Sequence, residues 1–233
     1  TAPSAFTVGA VASTGGTVVS NYWNSTNTGI NVIVPVANDA TLTGGTIQLR
    51  ANVAGGGYEN LGAAYTIEAG DLGTNKTLSN TAGTFEALSG GLGEGESVAF
   101  TAIITDNVSQ STTGTASGTT IAVDQTAPTI SEQTAVTTPT TDNTPTFTIA
   151  SNEAGAITVS QTITSPSPAN AISGNTAIVF DTLADATYDS ETVSVRDAAG
   201  NDSNTVTLTT FIVDTTAPSA FTVGAVASTG GTV

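Results

Sequence analysis

The chain has no cysteine, no histidine and no methionine, and few of its residues are aromatic. Without cysteine or histidine, most nucleophilic, acid–base and zinc sites are excluded, and no disulfide can stabilise the fold. The sequence also contains neither the phosphate-binding G-x-x-x-x-G-K-[ST] motif nor the G-x-S-x-G nucleophile motif. Because the acids are scattered through turn-like segments and few aromatics could hold a sugar ring, we do not expect an enzyme.

Positive charge is scarce as well. Nineteen acidic residues face only Arg50, Lys76 and Arg196, so the net charge is −16. This balance argues against nucleic acids and anionic membranes as partners, and the lack of a long apolar run argues against membrane insertion by this segment. The acidity suits either the binding of divalent cations or the protection of a threonine-rich β surface from aggregation, and composition leaves both open.

What the chain does contain favours strands. Threonine, valine, serine, alanine and glycine are abundant, hydrophobic residues make up 38%, and the residues that build helices are scarce. Apolar and polar residues alternate in several runs, which places one face of a strand on a core. The sequence therefore predicts an all-β fold. The clearest runs are Val98, Phe100, Ala102 and Ile104, and Val206, Leu208, Thr210 and Ile212.

A long internal repeat organises the chain. Residues Thr1 to Val18 reappear without change as Thr216 to Val233, which indicates a window on a tandem array, cut just after a new copy begins. A shorter repeat marks two seams, V-D-Q-T-A-P at 123–128 and V-D-T-T-A-P at 213–218. We therefore expect module one (residues 1–124), module two (residues 125–215) and a terminal copy (residues 216–233), which is the first strand of the next repeat.

Both module lengths suit a β-sandwich of the immunoglobulin type. The modules also share landmarks: a turn with Asn and an acid at 38–39 or 152–153, and a later alternating strand that ends at Asp106 or Asp197. Proline at 128 and 218 restricts each short seam, and stiff seams between sandwiches make a rod. The prediction is two tandem immunoglobulin-like β-sandwiches in a rod-like array.

Several motifs support this view, namely T-P-T-T-D-N-T-P-T-F at 138–147, S-N-E-A-G at 151–155 and V-R-D-A-A-G-N at 195–201. With these motifs and the seams, the chain resembles the bacterial immunoglobulin-like tandem repeats of giant secreted adhesins and biofilm-associated surface proteins. The likeness covers module two well, and module one only at landmarks such as Asn38-Asp39 and Thr105-Asp106-Asn107. It implies an extracellular location at the bacterial cell surface, neighbouring repeats or other copies in a filament as partners, and calcium that stiffens the seams.

Acidic residues stand at equivalent places in both modules. Because the turns after the second and sixth strands of such a sandwich lie at one end, their carboxylates should converge there with the preceding seam acid. Clustered carboxylates repel each other unless a cation neutralises them. The resemblance implies calcium sites of weak affinity, with Kd on the order of 0.1–1 mM. The implied ligands are Asp124, Glu153, Asp197 and Asn201 in module two, and Asp39 and Asp106 in module one, with Asp214 as the seam acid of the preceding copy.

Simpler interpretations stay open for several residues. Asp and Asn favour turns by bonding to nearby backbone, so residues 197–201 could be only a hairpin. Trp23, the single tryptophan, is either an anchor in the sandwich or, beside Tyr22, a platform for a sugar. Lys76 is the single lysine, so an internal Lys–Asn isopeptide bond is conceivable in module one alone.

Three functions fit this sequence. The leading one is a structural spacer repeat of a giant extracellular bacterial adhesin or surface filament, giving length and calcium-dependent stiffness. The second is a self-assembling fibre subunit in which the terminal copy is donated as a strand to a neighbour. The third is a carbohydrate- or ice-binding module, suggested by Trp23 and by the exposed hydroxyls expected at Thr205, Thr207 and Thr209.

Overall fold

A computed structural model describes residues 1–160 and 166–225, and nearly all of its regular structure is β. Strands make up 41% of the chain and helices 6%, in agreement with the predicted all-β class. Among the described residues, no helix is long and apolar enough to cross a membrane.

Module one contains ten strands and one short helix. Three 3-10 turns, at Ala40–Leu42, Ala69–Asp71 and Leu88–Gly90, connect them. The elements are β1 (Val11–Thr14), β2 (Tyr22–Trp23), β3 (Gly29–Pro35), β4 (Thr46–Val53), β5 (Tyr58–Asn60), β6 (Tyr65–Thr66), β7 (Asn75–Thr81), α1 (Ala82–Glu86), β8 (Ser97–Thr105), β9 (Ser111–Thr113) and β10 (Ile121–Val123).

These strands form two sheets. One sheet has the order β1-β3-β7, and the other has the order β2-β10-β8-β4-β5, with β6 against β4 and β9 against β8. In strand β8 the predicted alternation places one face on the core. Its core-facing residues are all at most 2% exposed, namely Val98, Phe100, Ala102 and Ile104. Most pairings are antiparallel, but β2 runs parallel to β10, with Val123 opposite Trp23.

Module two repeats part of this order with fewer residues. Its sheets have the orders β11-β12-β15 and β14-β13-β17-β18, and a separate pair joins β16 to β19. A parallel bridge between Thr140 and Val213 corresponds to the β2–β10 pairing. The strands are β11 (Ile130–Thr134), β12 (Thr146–Ser151), β13 (Gly155–Val159), β14 (Asn170–Ala171), β15 (Gly174–Val179), β16 (Ala186–Tyr188), β17 (Thr192–Arg196), β18 (Val206–Thr207) and β19 (Phe211–Val213).

The alternation predicted for the end of module two is wrong beyond Leu208. Leu208 is buried, but Ile212 is 41% exposed, and Phe211 and Val213 are buried in its place. The reason is that the strand is interrupted: β18 ends at Thr207 and β19 begins at Phe211, so the chain changes face between them.

Two separate hydrophobic cores lie on either side of the first seam. The first contains buried residues between Val8 and Val123, and the second contains buried residues between Ile130 and Val213. Trp23 packs edge-on against Phe85 in the first core, at 4.8 Å between ring centroids. The terminal copy is described as far as residue 225. That part is exposed and forms no strand, with Phe221 86% exposed.

Candidate functional site at the junction between the modules

The segment Asp197–Asn201 forms a tight turn after β17. The Asp197 N–H donates to the Asn201 carbonyl oxygen at 3.1 Å, and the Asn201 N–H donates to Asp197 Oδ1 at 2.9 Å. Gly200 supplies the left-handed backbone that closes the turn, at φ +92°. The local turn chemistry of Asp and Gly is therefore present, as the simpler interpretation predicts.

The side chain of Asn201 does more than close that turn. It is 1% exposed, and its Nδ2 donates to Asp197 Oδ2 and to the Asp124 carbonyl oxygen, both at 2.9 Å. Its Oδ1 accepts from Ser25 Oγ of module one at 3.0 Å. The structure thus brings together three of the predicted ligand residues, Asp124, Asp197 and Asn201, and adds Ser25, which sequence reasoning missed.

Four carboxylates interact at this junction. Burial, followed by the charges of Asp197 and Glu94, raises the pKa of Asp124. Burial, followed by the charges of Asp124, Asp197 and Glu94, raises the pKa of Glu153. Arg196 forms its ion pair with Asp202, Nε to Oδ1 at 2.6 Å, and among the described side chains no ion pair joins the four junction acids to a cation.

The oxygens of these carboxylates do not converge into a ready cage. Within residues 1–160 and 166–225, no group of three or more Asp, Glu, His or Cys side chains is close enough together to hold a metal ion. Charge repulsion acts over longer distances than metal coordination does. The carboxylates can therefore raise one another's pKa values without lying close enough together to hold an ion. Asn201 also turns its amide nitrogen, not its oxygen, toward Asp124 and Asp197.

Asn24 of module one meets the same turn from the other side. It is completely buried, and its Nδ2 donates to the carbonyl oxygens of Thr17 and Ala199, both at 2.7 Å. A Cβ added at Gly200 would lie 2.9 Å from methyl groups of Thr17 and Val19. The turn is therefore packed and hydrogen-bonded against module one, a junction that nothing in the local sequence around Asn24 announces.

The seam itself is fixed by acids from residues 82–96 of module one. The Gln125 N–H donates to both carboxylate oxygens of Glu94, at 3.0 and 3.1 Å. Glu86 Oε1 accepts from Gln125 Nε2 at 2.9 Å and from Trp23 Nε1 at 3.1 Å. Trp23 is completely buried, which confirms it as an anchor and excludes it as a platform for a sugar.

Asp106 ends β8 in a turn that matches the one at Asp197. The Asp106 N–H donates to the Gln110 carbonyl oxygen at 2.9 Å, and the Gln110 N–H donates to Asp106 Oδ1 at 2.8 Å. Ser109 takes the left-handed position of Gly200, at φ +66°. Asp106 is 4% exposed, and its Oδ2 has no hydrogen-bond partner within the described part of the chain.

Asp39, the other acid predicted in module one, caps a 3-10 turn. Its Oδ1 accepts from Thr41 N and Thr41 Oγ1 at 2.9 and 2.8 Å, and these bonds lower the pKa of Asp39. The Asn107 N–H donates to the Thr41 carbonyl oxygen at 3.0 Å, so the turns of Asp39 and Asp106 are neighbours.

Asp214 lies at the second seam, where its contacts are with module two and the terminal copy. Its N–H donates to the Thr140 carbonyl oxygen at 2.9 Å, and its Oδ1 accepts from Thr216 N at 3.1 Å. Asp185, which sequence reasoning missed, binds the N–H and hydroxyl of Thr215 and the hydroxyl of Thr216. These bonds lower the pKa of Asp185 to about 2.

The remaining candidates are surface features. Lys76 Nζ contacts Tyr65 Oη at 2.6 Å and Asp71 Oδ1 at 3.0 Å, so its described partners are not asparagines, contrary to the isopeptide hypothesis. Thr205, Thr207 and Thr209 are exposed, but only Thr207 lies in a strand. They form no regular array of hydroxyls on one strand.

No protein-family model matches the chain, and no curated protein is significantly similar to it. Its function is therefore inferred from the repeat, the seams and the junction between the two cores.

Proposed function

We propose that the chain is one period of a structural spacer, taken from a tandem array that a bacterium displays outside the cell. Each period consists of two immunoglobulin-like sandwiches, and its role is to give the array length and stiffness. The observation that carries this proposal is the unchanged recurrence of residues 1–18 at 216–233, immediately after a second V-D-x-T-A-P seam.

The strand orders of the two modules support the same architecture for both. The sheet β1-β3-β7 corresponds to β11-β12-β15, and the pairing of β4 with β8 corresponds to that of β13 with β17. In module one the early strand β2 runs parallel to the last strand, and in module two a single parallel bridge joins Thr140 to the last strand. This order is typical of an immunoglobulin-like sandwich.

Stiffness at the first seam has a source that needs no metal. Asn24 and Asn201 are buried at the junction, and each bonds across it. Bending there would exchange these hydrogen bonds for bonds to water, at a net cost of about 0.5–1.5 kcal/mol for each bond. The junction therefore resists bending more than a Gly/Ser linker would.

Calcium is the proposed second source of stiffness. The donors available are the carboxylates of Asp124, Glu153, Asp197 and Glu94, which repel one another at neutral pH. Coordination by Asn201 would require its amide to rotate so that Oδ1 faces the acids, at the expense of the bond from Ser25. That cost is consistent with a site of weak affinity.

A calcium titration of thermal unfolding tests this part of the proposal. A cation that binds only the folded state raises the midpoint as its concentration passes Kd. We expect a rise that Asp197→Asn and Glu153→Gln reduce and a chelator reverses. Asp202→Asn is the matched control, because Asp202 follows the same turn but pairs with Arg196. An unchanged midpoint up to about 10 mM calcium would refute the calcium site and leave the hydrogen-bonded junction as the source of stiffness.

The spacer itself is tested by a two-period chain, in which residues 1–215 are followed by residues 1–233. A spacer predicts that small-angle scattering finds a maximum dimension close to twice that of the single chain. An unchanged maximum dimension, with the two periods folded against each other, would contradict it.

One observation favours the fibre as a second candidate. Phe221 and Val223 are 86% and 73% exposed, whereas Val8, the counterpart of Val223, is 2% exposed in module one. An exposed apolar segment can become a strand that completes the sheet of another chain. Light scattering over a range of concentrations, with Phe221→Ser as the control, distinguishes the two: a concentration-independent monomer mass rules out the fibre.

A further inference from the structure

The two matched turns differ in exposure at every position after the second. Ala199, Gly200 and Asn201 are buried at the junction with module one. Their counterparts Val108, Ser109 and Gln110 are exposed, and Val108 is 64% exposed. The end of the Asp197–Asn201 turn is thus covered by another module, whereas the end of the Asp106–Gln110 turn is exposed.

A groove lies at the counterpart of that junction, at the other end of module two. It measures about 380 Å³ and runs between Pro139–Thr141 and the second seam, Asp214–Pro218. Thr140 pairs in parallel with Val213 there, as Trp23 pairs with Val123 at the first seam. Asp142 Oδ1 accepts from Thr144 N at 2.8 Å, as Asn24 Oδ1 accepts from Thr26 N at 3.0 Å. The groove therefore shares the seam pairing of the first junction and lies beside the Asp142 turn, and the Asp214 N–H donates to the Thr140 carbonyl oxygen as the Asp124 N–H donates to that of Trp23.

The terminal copy identifies the module that comes after this groove. Residues 216–233 have the sequence of residues 1–18, so the next module begins as module one does. In module one, Phe6 packs on the core and its carbonyl accepts from Thr115 N at 2.8 Å, which places residues 1–6 beside β9 and the Asp106 turn. In a next copy that folds in this way, the Val108 turn lies at the end of the module that follows the second seam.

We propose that the Val108–Gln110 turn of each copy docks in the groove at the end of module two of the preceding copy. The inference rests on the proposed tandem array and names its second interface. Val108 supplies the apolar contact, and Gln110 reaches Asp214 as Asn201 reaches Asp124. The occupant of the groove is thus the next copy of this chain.

Thiol labelling tests the docking, because the chain has no cysteine of its own. The protein is the two-period chain, with Val108→Cys placed either in the first or in the second copy. In the first copy of this protein no module precedes the turn, so the labelling rate of the first-copy thiol is the reference for the second-copy thiol. Ile172→Cys, 60% exposed on module two, is the control for general accessibility.

We expect labelling of the second-copy thiol to be slower than that of the first-copy thiol by about tenfold or more, equivalent to about 1.4 kcal/mol of docking. Thr141→Arg in the first copy fills the groove and should restore fast labelling. Equal labelling rates of the Val108→Cys thiol in the two copies would overturn the docking. An Ile172→Cys thiol that is slowed in the second copy by the same factor would overturn it too. Scattering on the same chain reports the spacer separately: a doubled length with equal rates refutes the interface alone.

Discussion

The turns at Asp106 and Asp197 share the hydrogen bonds that close them and a left-handed fourth residue, yet the last three residues are exposed in the first turn and buried in the second. The difference comes from the neighbour and not from the turn. At the first seam, module one covers the Asp197 turn with Asn24 and Ser25, while residues 107–110 of the Asp106 turn are exposed. The turn thus forms locally in both modules, and it becomes part of an interface where a neighbouring module packs against it.

The largest test of this contrast exchanges Asn24 and Asp142. Asn24→Asp removes the donor to two carbonyl oxygens and leaves a charge at a fully buried position, so we expect a loss of about 3 kcal/mol or more. Asp142→Asn keeps the oxygen that accepts from Thr144 and should change stability by about 0.5 kcal/mol or less. Urea unfolding followed by Trp23 fluorescence and by circular dichroism measures both. Equal losses of unfolding free energy in the two variants would mean that the contacts of Asn24 across the junction add no stability of their own.

The next test removes one amide from each turn. Asn201→Ala removes the side-chain partner of the Asp124 carbonyl, of Asp197 Oδ2 and of the Ser25 hydroxyl, and we expect a loss of about 2–3 kcal/mol. Gln110→Ala is the matched variant, and its exposed side chain should contribute about 0.5 kcal/mol or less. Calorimetry of the single chain checks the difference, which disappears if the junction opens readily in solution.

Acid should stabilise the junction in the absence of calcium. The pKa values of Asp124 and Glu153 are raised above 3.8 and 4.5, so the folded state binds protons more readily than the unfolded chain. The stability that these two groups contribute is fully present at a pH below their pKa values in the unfolded chain. It is lost as the pH rises through their pKa values in the folded state. We therefore expect a higher midpoint at pH 5 than at pH 7, in chelator and low salt.

The variant Asp124→Asn with Glu153→Gln removes both titrating groups and should flatten this dependence. Asp39→Asn is the module-one control, because the pKa of Asp39 is lowered and that carboxylate stays ionised between pH 5 and 7. A pH dependence that survives in the double variant would assign it to other acids.

The smallest effect concerns the residues that flank the two turns. Arg196, at the end of β17, forms an exposed ion pair with Asp202, where module one has a hydroxyl contact between Thr105 and Ser111 at 2.9 Å. Replacing the pair by Arg196→Thr with Asp202→Ser should change stability by about 0.5 kcal/mol or less. A larger loss in urea unfolding would show that the ion pair supports the junction.

Patterns within one strand or one turn were predictable from the sequence. The alternation of Val98 to Ile104 and the turn chemistry of Asp197 and Gly200 depend on neighbours in the chain, so local rules find them. The convergence of Asp124, Asp197 and Asn201 also followed from sandwich geometry. The face of Ile212 was predicted wrongly, because an interruption between two short strands leaves no clear mark in an alternating pattern.

The contacts across the junction were not predictable. Asn24 meets Ala199 over a separation of 175 residues, and it does so only once two folded modules are placed end to end. Glu94 and Asp185 hold the residue after each seam acid, but they come from connections of different length and sequence.

The parallel pairing near each seam matters when an array is pulled from its ends. In module one, Tyr22 and Trp23 pair with the last strand, β10, and module two repeats the arrangement between Thr140 and Val213. Because β2 lies early in the module and runs in the same direction as β10, tension along the chain slides the two strands past each other. The hydrogen bonds between them then carry the load together instead of opening one at a time. Each seam acid, Asp124 or Asp214, adds its own N–H to this group through the carbonyl of Trp23 or Thr140. Under force, unfolding is governed by the rate of rupture and not by equilibrium stability. A module of modest stability can therefore still act as a strong link.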